Sequence, residues 1–189
     1  LGRVFIVAPD RDQSAPSHSL TLHRPFRIHR HDVDVYSVDG TPTDCVVCAY
    51  YGLLDAAPDL VISGINHGPN MGEDVFYSGT VAAAIEGSIQ GTAAIAASLV
   101  TREITDFLEP AAFIARLARR VLDDGLARGR LLNVNLPPLP WDEIRGVAIT
   151  RLGSRVYHDT LVHKVDPRGR DYYWIGGEDP VWDPREGTD

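Results

Sequence analysis

The polar side chains with the clearest chemical potential lie in residues 63–80, which read SGINHGPNMGEDVFYSGT. The segment ends in Ser78-Gly79-Thr80, directly before the helix-forming run VAAAIEG. Free backbone amides and the dipole at a helix N-terminus attract anions, and a glycine there lets a ligand approach closely. The pattern predicts a phosphate-binding site at this point. The alternative, which an isolated SGT favours, is that Ser78 only caps the helix.

The charges around this loop do not suit a phosphate on its own. Residues 63–80 contain no Lys or Arg, Glu73 and Asp74 are negative, and the whole chain has a formal net charge of -8. A divalent metal ion resolves the conflict, because it neutralises the phosphate and activates a bound water. Asn66 could offer such a metal a carbonyl oxygen, and Ser14, in the loop PDRDQSAPSHS, could offer a hydroxyl.

A metal held only by an amide and a hydroxyl would be bound weakly, because hard cations prefer carboxylates. From chemistry alone, the candidates are Asp10 and Asp12, which lie in the same loop as Ser14. Both are also ordinary turn-forming residues. These residues therefore predict only half of a metal site.

The elements that must position these two loops follow an α/β pattern, in which short apolar runs alternate with helical runs. The pattern predicts buried strands at 4–8, 60–63, 93–98 and 131–135, and helices at 43–54, 80–90 and 107–124. Residues 20–30 alternate like a half-exposed strand. In an open α/β sheet ligands gather at the carboxyl ends of the strands, and both polar loops begin at such ends.

The last part of the chain has a different pattern. Residues 161–165 and 171–175 flank the strong turn sequence DPRG, which predicts a β-hairpin. We therefore expect a core at residues 1–140 that carries the active-site loops, and a C-terminal extension at 141–189. The apolar side chains of the hairpin predict that this arm is used for oligomerisation.

Composition excludes several classes of protein. The negative net charge argues against a duplex nucleic acid partner, and no apolar run is long enough to span a membrane. Cys45 and Cys48 form a lone C-x-x-C in an apolar run, which favours a buried structural pair over a zinc or redox site. So few cysteines fit a reducing compartment, and we expect a cytoplasmic protein.

Four stretches resemble the SurE family, the survival-protein phosphatases that act on nucleoside monophosphates: VAPDRDQSAPSHSLTLHRPFR, VDGTPTDCV, DLVISGINHGPNMGEDVFYSGTVAAAIEG and DPRGRDYYWIG. The resemblance implies a three-layer Rossmann-like fold with a mainly parallel sheet and an appended hairpin arm. Members of the family begin with a strand ending in Asn-Asp-Asp-Gly, whose two aspartates hold a divalent metal. We expect these two ligands upstream of Leu1, and residues 1–189 without them to bind Mg²⁺ or Mn²⁺ poorly.

The resemblance also implies roles for particular residues. Ser14 and Asn66 match metal ligands, which returns Asp10 and Asp12 to structural roles. Asn70 and Ser78 match catalytic positions that contact phosphate, and Gly79 and Thr80 adjoin them in the phosphate-binding loop.

The expected function is hydrolysis of nucleoside 5'- and 3'-monophosphates by a homodimer or homotetramer that uses Mg²⁺ or Mn²⁺. Two other hypotheses are compatible with parts of the sequence. A non-catalytic nucleotide- or phosphate-binding module would need the same helix N-terminus but no metal. A purely structural α/β domain would leave the loop rich in Asn and Gly unexplained.

Overall fold

The computed structural model describes residues 2–103, 106–156, 159–177, 181–183 and 185–189. These residues form two compact units. The first unit contains the residues up to Asn70 together with Val75–Gly146, and the second contains Met71–Asp74 together with Val147–Asp189. The predicted division between residues 140 and 141, and the role of the second part in oligomerisation, stay predictions.

The described residues of the first unit form two three-stranded sheets. In one sheet β1 pairs in parallel with β3, and β3 pairs antiparallel with β2; the bounds are Ile6–Pro9 for β1, Ile28–Asp32 for β2 and Val35–Val38 for β3. The other sheet is wholly parallel and has the order β4-β5-β6, with bounds Leu60–His67, Ala93–Leu99 and Leu131–Leu136. The predicted α/β class with a mainly parallel sheet is confirmed.

In the part of the chain that the structure describes, three α-helices accompany these sheets: α1 (Pro42–Cys48), α2 (Gly79–Ile89) and α3 (Leu108–Asp124). Short helices of other types lie at Ala49–Leu53, Gly72–Phe76 and Trp141–Glu143. The apolar periodicity of the sequence therefore predicts all three α-helices to within a few residues, although the first is continued by a π-helical turn. Among the described residues, no helix combines the length and apolarity that crossing a bilayer requires.

The parallel sheet is covered on both faces, because successive side chains of a strand point to opposite sides. Ala94 and Ala96 of β5 pack against Val81 and Ala84 of α2. The neighbouring side chains of β5 face the other way, so that Ile95 packs against α3 residues such as Ala118 and Val121. A glycine makes the α2 contact close: a Cβ at Gly87 would lie 2.9 Å from Val61 Cβ.

A cleft of about 780 Å³ lies beside the edges of both sheets. β1 and β4 are terminal strands in their sheets, and residues of both line this cleft. Ile6 of β1 is 47% exposed, and Val4 just before it is 66% exposed. Apolar sheet surface is thus open to solvent beside residues 4–8, where the sequence pattern predicts a buried strand.

The second unit is built from antiparallel pairs. β7 (Ser154–Val156) pairs with β10 (Val181–Asp183), and β8 (Asp159–Val165) pairs with β9 (Asp171–Gly177). The hairpin turn is the one predicted, with Asp166 Oδ1 accepting hydrogen bonds from the backbone N–H groups of Arg168 and Arg170. Asp189 tethers this unit internally by accepting hydrogen bonds from the backbone N–H groups of Gly72 and Gly153.

Candidate active site

Asn66 lies on a strand, not in the loop that the sequence predicts after residue 63. β4 continues to His67, and Asn66 is the register partner of Ser98 on β5. A bulge between Ser63 and Asn66 makes this possible. Gly64 sits in the bulge with φ of +117°, and a Cβ there would collide with the carbonyl oxygen of Ala97. The bulge therefore needs glycine, and it aims the half-buried Asn66 at the carboxyl edge of the sheet.

Ser78 caps α2, as the simpler alternative predicts. Its backbone is extended, with φ of -73° and ψ of 123°, and its hydroxyl accepts a hydrogen bond from Val81 N–H at 3.1 Å. In the described part of the chain, the backbone N–H groups of Gly79 and Thr80 donate no hydrogen bond. These two groups lie in the first turn of an eleven-residue helix, where the dipole favours an anion. Capping by Ser78 therefore leaves two donors available to a phosphate.

Asn66 and Thr80 meet directly. The Thr80 hydroxyl donates to Asn66 Oδ1 at 3.3 Å, and Asn66 Nδ2 donates to the carbonyl oxygen of Gly68 at 2.9 Å. The structure thus brings together one predicted metal ligand and one predicted phosphate-binding residue. An amide oxygen has two lone pairs, so Asn66 Oδ1 can accept a second partner.

The loop that carries Ser14 is anchored on α2. Ser17 N–H donates to the carbonyl oxygen of Tyr77 at 3.1 Å, and His18 Nε2 lies 2.9 Å from the buried Glu86 Oε2. A Cβ at Gly79 would lie only 2.9 Å from Pro16 Cγ and equally close to Pro42 Cγ. Ser14 itself is exposed, two residues before this contact. Its loop therefore packs on the α2 N-terminus, although no hydrogen bond among the described residues joins Ser14 to Asn66.

Asp10 and Asp12, the carboxylates favoured by chemistry alone, have surface positions. Both are exposed, and Asp10 lies 4.0 Å from Arg11 in a loose ion pair. The described residues contain no cluster of three or more His, Cys, Asp or Glu side chains that could hold a metal. The oxygen donors of Ser14 and Asn66 suit a hard cation in type but bring no charge.

Asn70 is held by residues that the sequence analysis missed. Its backbone N–H donates to Asn135 Oδ1 at 2.8 Å, and its carbonyl oxygen accepts from Asn133 Nδ2 at 2.9 Å and Asn135 Nδ2 at 3.0 Å. Its side-chain Nδ2 donates to Ser98 Oγ at 2.6 Å. The signal in the sequence was LLNVNL, where two asparagines two positions apart interrupt an otherwise apolar strand.

Asp44 forms a second unpredicted cluster, which ties residues 19–21 to the start of α1. Its carboxylate accepts hydrogen bonds from Thr21 N–H at 2.9 Å, Thr21 Oγ at 2.6 Å and Thr41 N–H at 2.8 Å. The Thr41 hydroxyl donates to the carbonyl oxygen of Ser19 at 2.8 Å. Burial alone would raise the pKa of Asp44, but these hydrogen bonds outweigh it and hold the pKa below its ordinary value.

Cys45 and Cys48 are buried free thiols on α1, as predicted. They pack with Val38 in a small apolar cluster. Burial raises the pKa of Cys45 to about 12 and also raises the pKa of Cys48. Both side chains are therefore protonated at neutral pH and act as apolar core residues.

The fold and the site together define an α/β protein with a free helix N-terminus at the carboxyl edge of a parallel sheet. Residues 1–159 match the family model described as survival protein SurE. The "5'-nucleotidase SurE" of Geobacter sulfurreducens is 53% identical over 190 residues, which cover 100% of this chain and 72% of the relative. That of Anaeromyxobacter dehalogenans is 54% identical over 182 residues, covering 94% of this chain and 69% of the relative.

A solved structure agrees with these sequence relatives. The crystal structure of the SurE protein from Aquifex aeolicus superposes with a TM-score of 0.85 and 46% sequence identity, and the match covers 100% of this chain and 77% of that one. This chain belongs to the SurE family.

Proposed function

We propose that the chain is a 5'-nucleotidase, a phosphomonoesterase that hydrolyses nucleoside 5'-monophosphates, and 3'-monophosphates also, to nucleoside and phosphate. Its relatives, which are named 5'-nucleotidase SurE, support this activity, because their sequences are about half identical to this one along the whole chain. The observation that carries the proposal is the contact between Thr80 and Asn66. It places the N-terminus of α2, which suits a phosphate, beside an amide oxygen that suits a cation.

The proposed reaction adds water to phosphorus and releases the nucleoside hydroxyl, so that one P–O bond forms as another breaks. The backbone N–H groups of Gly79 and Thr80 would donate to the non-bridging phosphate oxygens, which gain charge in the transition state. The side chains of Asn70 and Ser78 would add two further neutral donors. Because these groups recognise the phosphate and not the base, we expect loose selectivity among nucleotides.

We propose a divalent cation, Mg²⁺ or Mn²⁺, as the cofactor, because neutral donors alone are weak partners for a dianion in a chain of net charge -8. Asn66 would hold it through its amide oxygen and Ser14 through its hydroxyl. When bound, such an ion neutralises phosphate and activates water. The two carboxylate ligands that the family resemblance implies upstream of Leu1 stay a prediction.

The test is release of phosphate from AMP by the full-length protein, with and without Mn²⁺ or Mg²⁺. We expect release that depends on the metal and falls sharply in Asn70→Ala. Asp12→Asn is the matched control, because it alters an exposed carboxylate in the loop of Ser14 and should leave turnover intact.

Two results would overturn parts of this proposal. Binding of AMP without any release of phosphate would instead support a non-catalytic nucleotide-binding module. Loss of metal-dependent turnover in Asp12→Asn would move the metal site to residues 10–12.

A further inference from the structure

One face of the parallel sheet changes from apolar to polar towards its carboxyl edge. On β5 the side chains of this face are Ala94, Ala96 and Ser98, and on β6 they are Leu131, Asn133 and Asn135. The first members of both series pack against the core of α2. Ser98 and Asn135 are register partners, so the polar side chains form one compact group at the strand ends.

This polar group is shaped around a single residue, Asn70. The side-chain amide of Asn135 accepts a hydrogen bond from the backbone N–H of Asn70 and donates one to its carbonyl oxygen. It thus pairs with Asn70 as the peptide group of a neighbouring strand would. Asn133 adds a second donor to the Asn70 carbonyl oxygen. Asn70 is only 6% exposed and Ser98 is fully buried, so water competes little for these hydrogen bonds.

The contact with Ser98 orients the side chain of Asn70. Ser98 Oγ accepts a hydrogen bond from one N–H group of Asn70 Nδ2 at 2.6 Å. An amide nitrogen has two N–H groups, so the second stays available to a ligand, and its direction is fixed because the amide is planar. The contact therefore sets where Asn70 can donate.

The group is not built for stability alone. Asn133 Oδ1 is buried and has no hydrogen-bond partner within the described part of the chain. An unsatisfied buried acceptor costs free energy that an apolar side chain at this position would not. A strand that served only the core would continue the leucine and alanine pattern found at the other end of the same face.

We propose that Ser98, Asn133 and Asn135 are positioning residues, which hold Asn70 in the orientation that donates to the phosphate in the transition state. The inference rests on the proposed function, because it assigns to Asn70 a contact with phosphate. None of the three touches the substrate, and each acts through Asn70.

The experiment compares Ser98→Ala and Asn135→Ala with the control Thr92→Val in the full-length protein. Thr92 lies just before β5, at its opposite end, is 9% exposed, and accepts a hydrogen bond from the hydroxyl of Tyr50. Ser98→Ala and Thr92→Val thus remove hydrogen bonds of buried polar side chains at opposite ends of β5, and Asn135→Ala removes part-buried ones at the carboxyl end of the neighbouring strand β6. The measurements are kcat and KM for AMP, affinity for orthovanadate, which mimics the five-coordinate transition state, and the melting temperature.

We expect Ser98→Ala and Asn135→Ala to lower kcat by about 10- to 100-fold, with KM within about threefold of wild type. Vanadate affinity should fall in parallel, and Thr92→Val should change neither. A double variant supplies the stricter test: Ser98→Ala should cost almost nothing further in an Asn70→Ala background, because its effect passes through Asn70.

The inference is overturned if kcat and vanadate affinity stay at wild-type values while only the melting temperature falls, as in the control. Full additivity of Ser98→Ala with Asn70→Ala would also overturn it. Absence of AMP hydrolysis in the wild-type protein would refute the proposed function instead. Vanadate affinity across the same variants would then still decide the positioning role, because it requires the site but not turnover.

Discussion

The amide oxygen of Asn66 accepts a hydrogen bond from the hydroxyl of Thr80 across 3.3 Å, which joins the end of β4 to the first turn of α2. The hydroxyl can rotate towards a bound phosphate without disturbing either element. Asn66 Oδ1 would then be free for a cation. On binding, the Thr80 hydroxyl can therefore exchange Asn66 for the phosphate, and Asn66 Oδ1 can exchange Thr80 for the cation, with no movement of the backbone.

Asn66→Ala should impair the use of metal far more than it impairs folding. Asn66 is half-buried at a strand end, and its amide oxygen is the proposed ligand. We expect the Mn²⁺ concentration for half-maximal AMP hydrolysis to rise by at least about tenfold, and the melting temperature to fall by no more than about 4 °C.

The matched control for Asn66 is its neighbour, His67→Ala. His67 is exposed, and its ring packs edge-on against Phe107 with the centroids 5.8 Å apart. We expect this variant to keep the metal dependence of the wild type. Equal Mn²⁺ titration curves for Asn66→Ala and wild type would remove Asn66 from the metal site.

Two substitutions at Ser78 separate its capping role from its proposed phosphate contact. Ser78→Ala should lose both, with a cost of about 1 kcal/mol in stability and roughly 1–3 kcal/mol in transition-state binding. Ser78→Asp should keep the cap, since aspartate caps helices well, but place a negative charge beside the phosphate. Urea unfolding and kcat/KM for AMP measure the two effects. An active Ser78→Asp would show that the phosphate binds elsewhere.

The stability of the protein should decline in acid partly through Asp44. Its pKa is below the ordinary value in the folded state, so its contribution is fully present above the unfolded pKa of about 4 and is lost as the pH falls through the folded pKa. Asp44→Asn should therefore cost about 2 kcal/mol at pH 7, and progressively less below about pH 4.

Urea unfolding between pH 7 and a lower limit about 1.5 units below the unfolded pKa measures this difference. Asp123→Asn, an exposed carboxylate on α3, serves as the control and should match wild type at every pH. A constant difference between Asp44→Asn and wild type across the range would show that the loss comes from packing and not from ionisation.

The two cysteines should be inert in the native protein. The thiolate is the reactive form, and burial raises the pKa of Cys45 to about 12. We expect iodoacetamide at about pH 8, near the ordinary cysteine pKa, to label Cys45 and Cys48 only after denaturation, as followed by intact mass. Rapid labelling of the folded protein would instead support a redox or metal-binding role for the pair.

The β8–β9 hairpin should mediate self-association. Leu161 and Ile175 are register partners on one face, 67% and 83% exposed, and Trp174 on the other face is 64% exposed. Two strands alone cannot bury this much apolar surface. We expect light scattering at tens of micromolar, roughly the Kd range of weak association, to report an oligomer that Ile175→Lys dissociates. Arg168→Ala, at the turn, is the control; a monomeric wild type would contradict the prediction.

Some strand boundaries could not be predicted because tertiary contacts override the local pattern. Residues 20–27 alternate in polarity like a strand, but the backbone N–H of Thr21 donates a hydrogen bond to the Asp44 carboxylate instead of to another strand. β2 therefore begins only at Ile28. Gly64 looks like the end of a strand in the sequence, yet it forms a bulge and β4 continues to His67. β3 is four residues long and lies among charged residues, so it has no apolar run to reveal it.

The candidate site also has features that the local sequence predicts and features that depend on distant residues. The helix cap at Ser78 could be predicted because capping depends on neighbouring residues alone. Phosphate binding at Gly79 and Thr80 stays a prediction. The partners of Asn70 could not be predicted, since Ser98 is 28 positions away along the chain and Asn135 is 65 positions away. Only the strand register brings those side chains together.

The hydrogen bonds between Asn70 and Asn135 also bear on how the chain acquires its activity. They close a loop of 65 residues, and they can form only after β6 has joined β5 in register. Contacts between such distant residues form late in folding, because the entropy of loop closure must be overcome first. A nascent or refolding chain can therefore complete its helices well before it orients Asn70. If Asn70 has its proposed role, the ability to bind phosphate would arise only when the sheet is complete, and a chain stalled before that step would carry no premature hydrolytic activity.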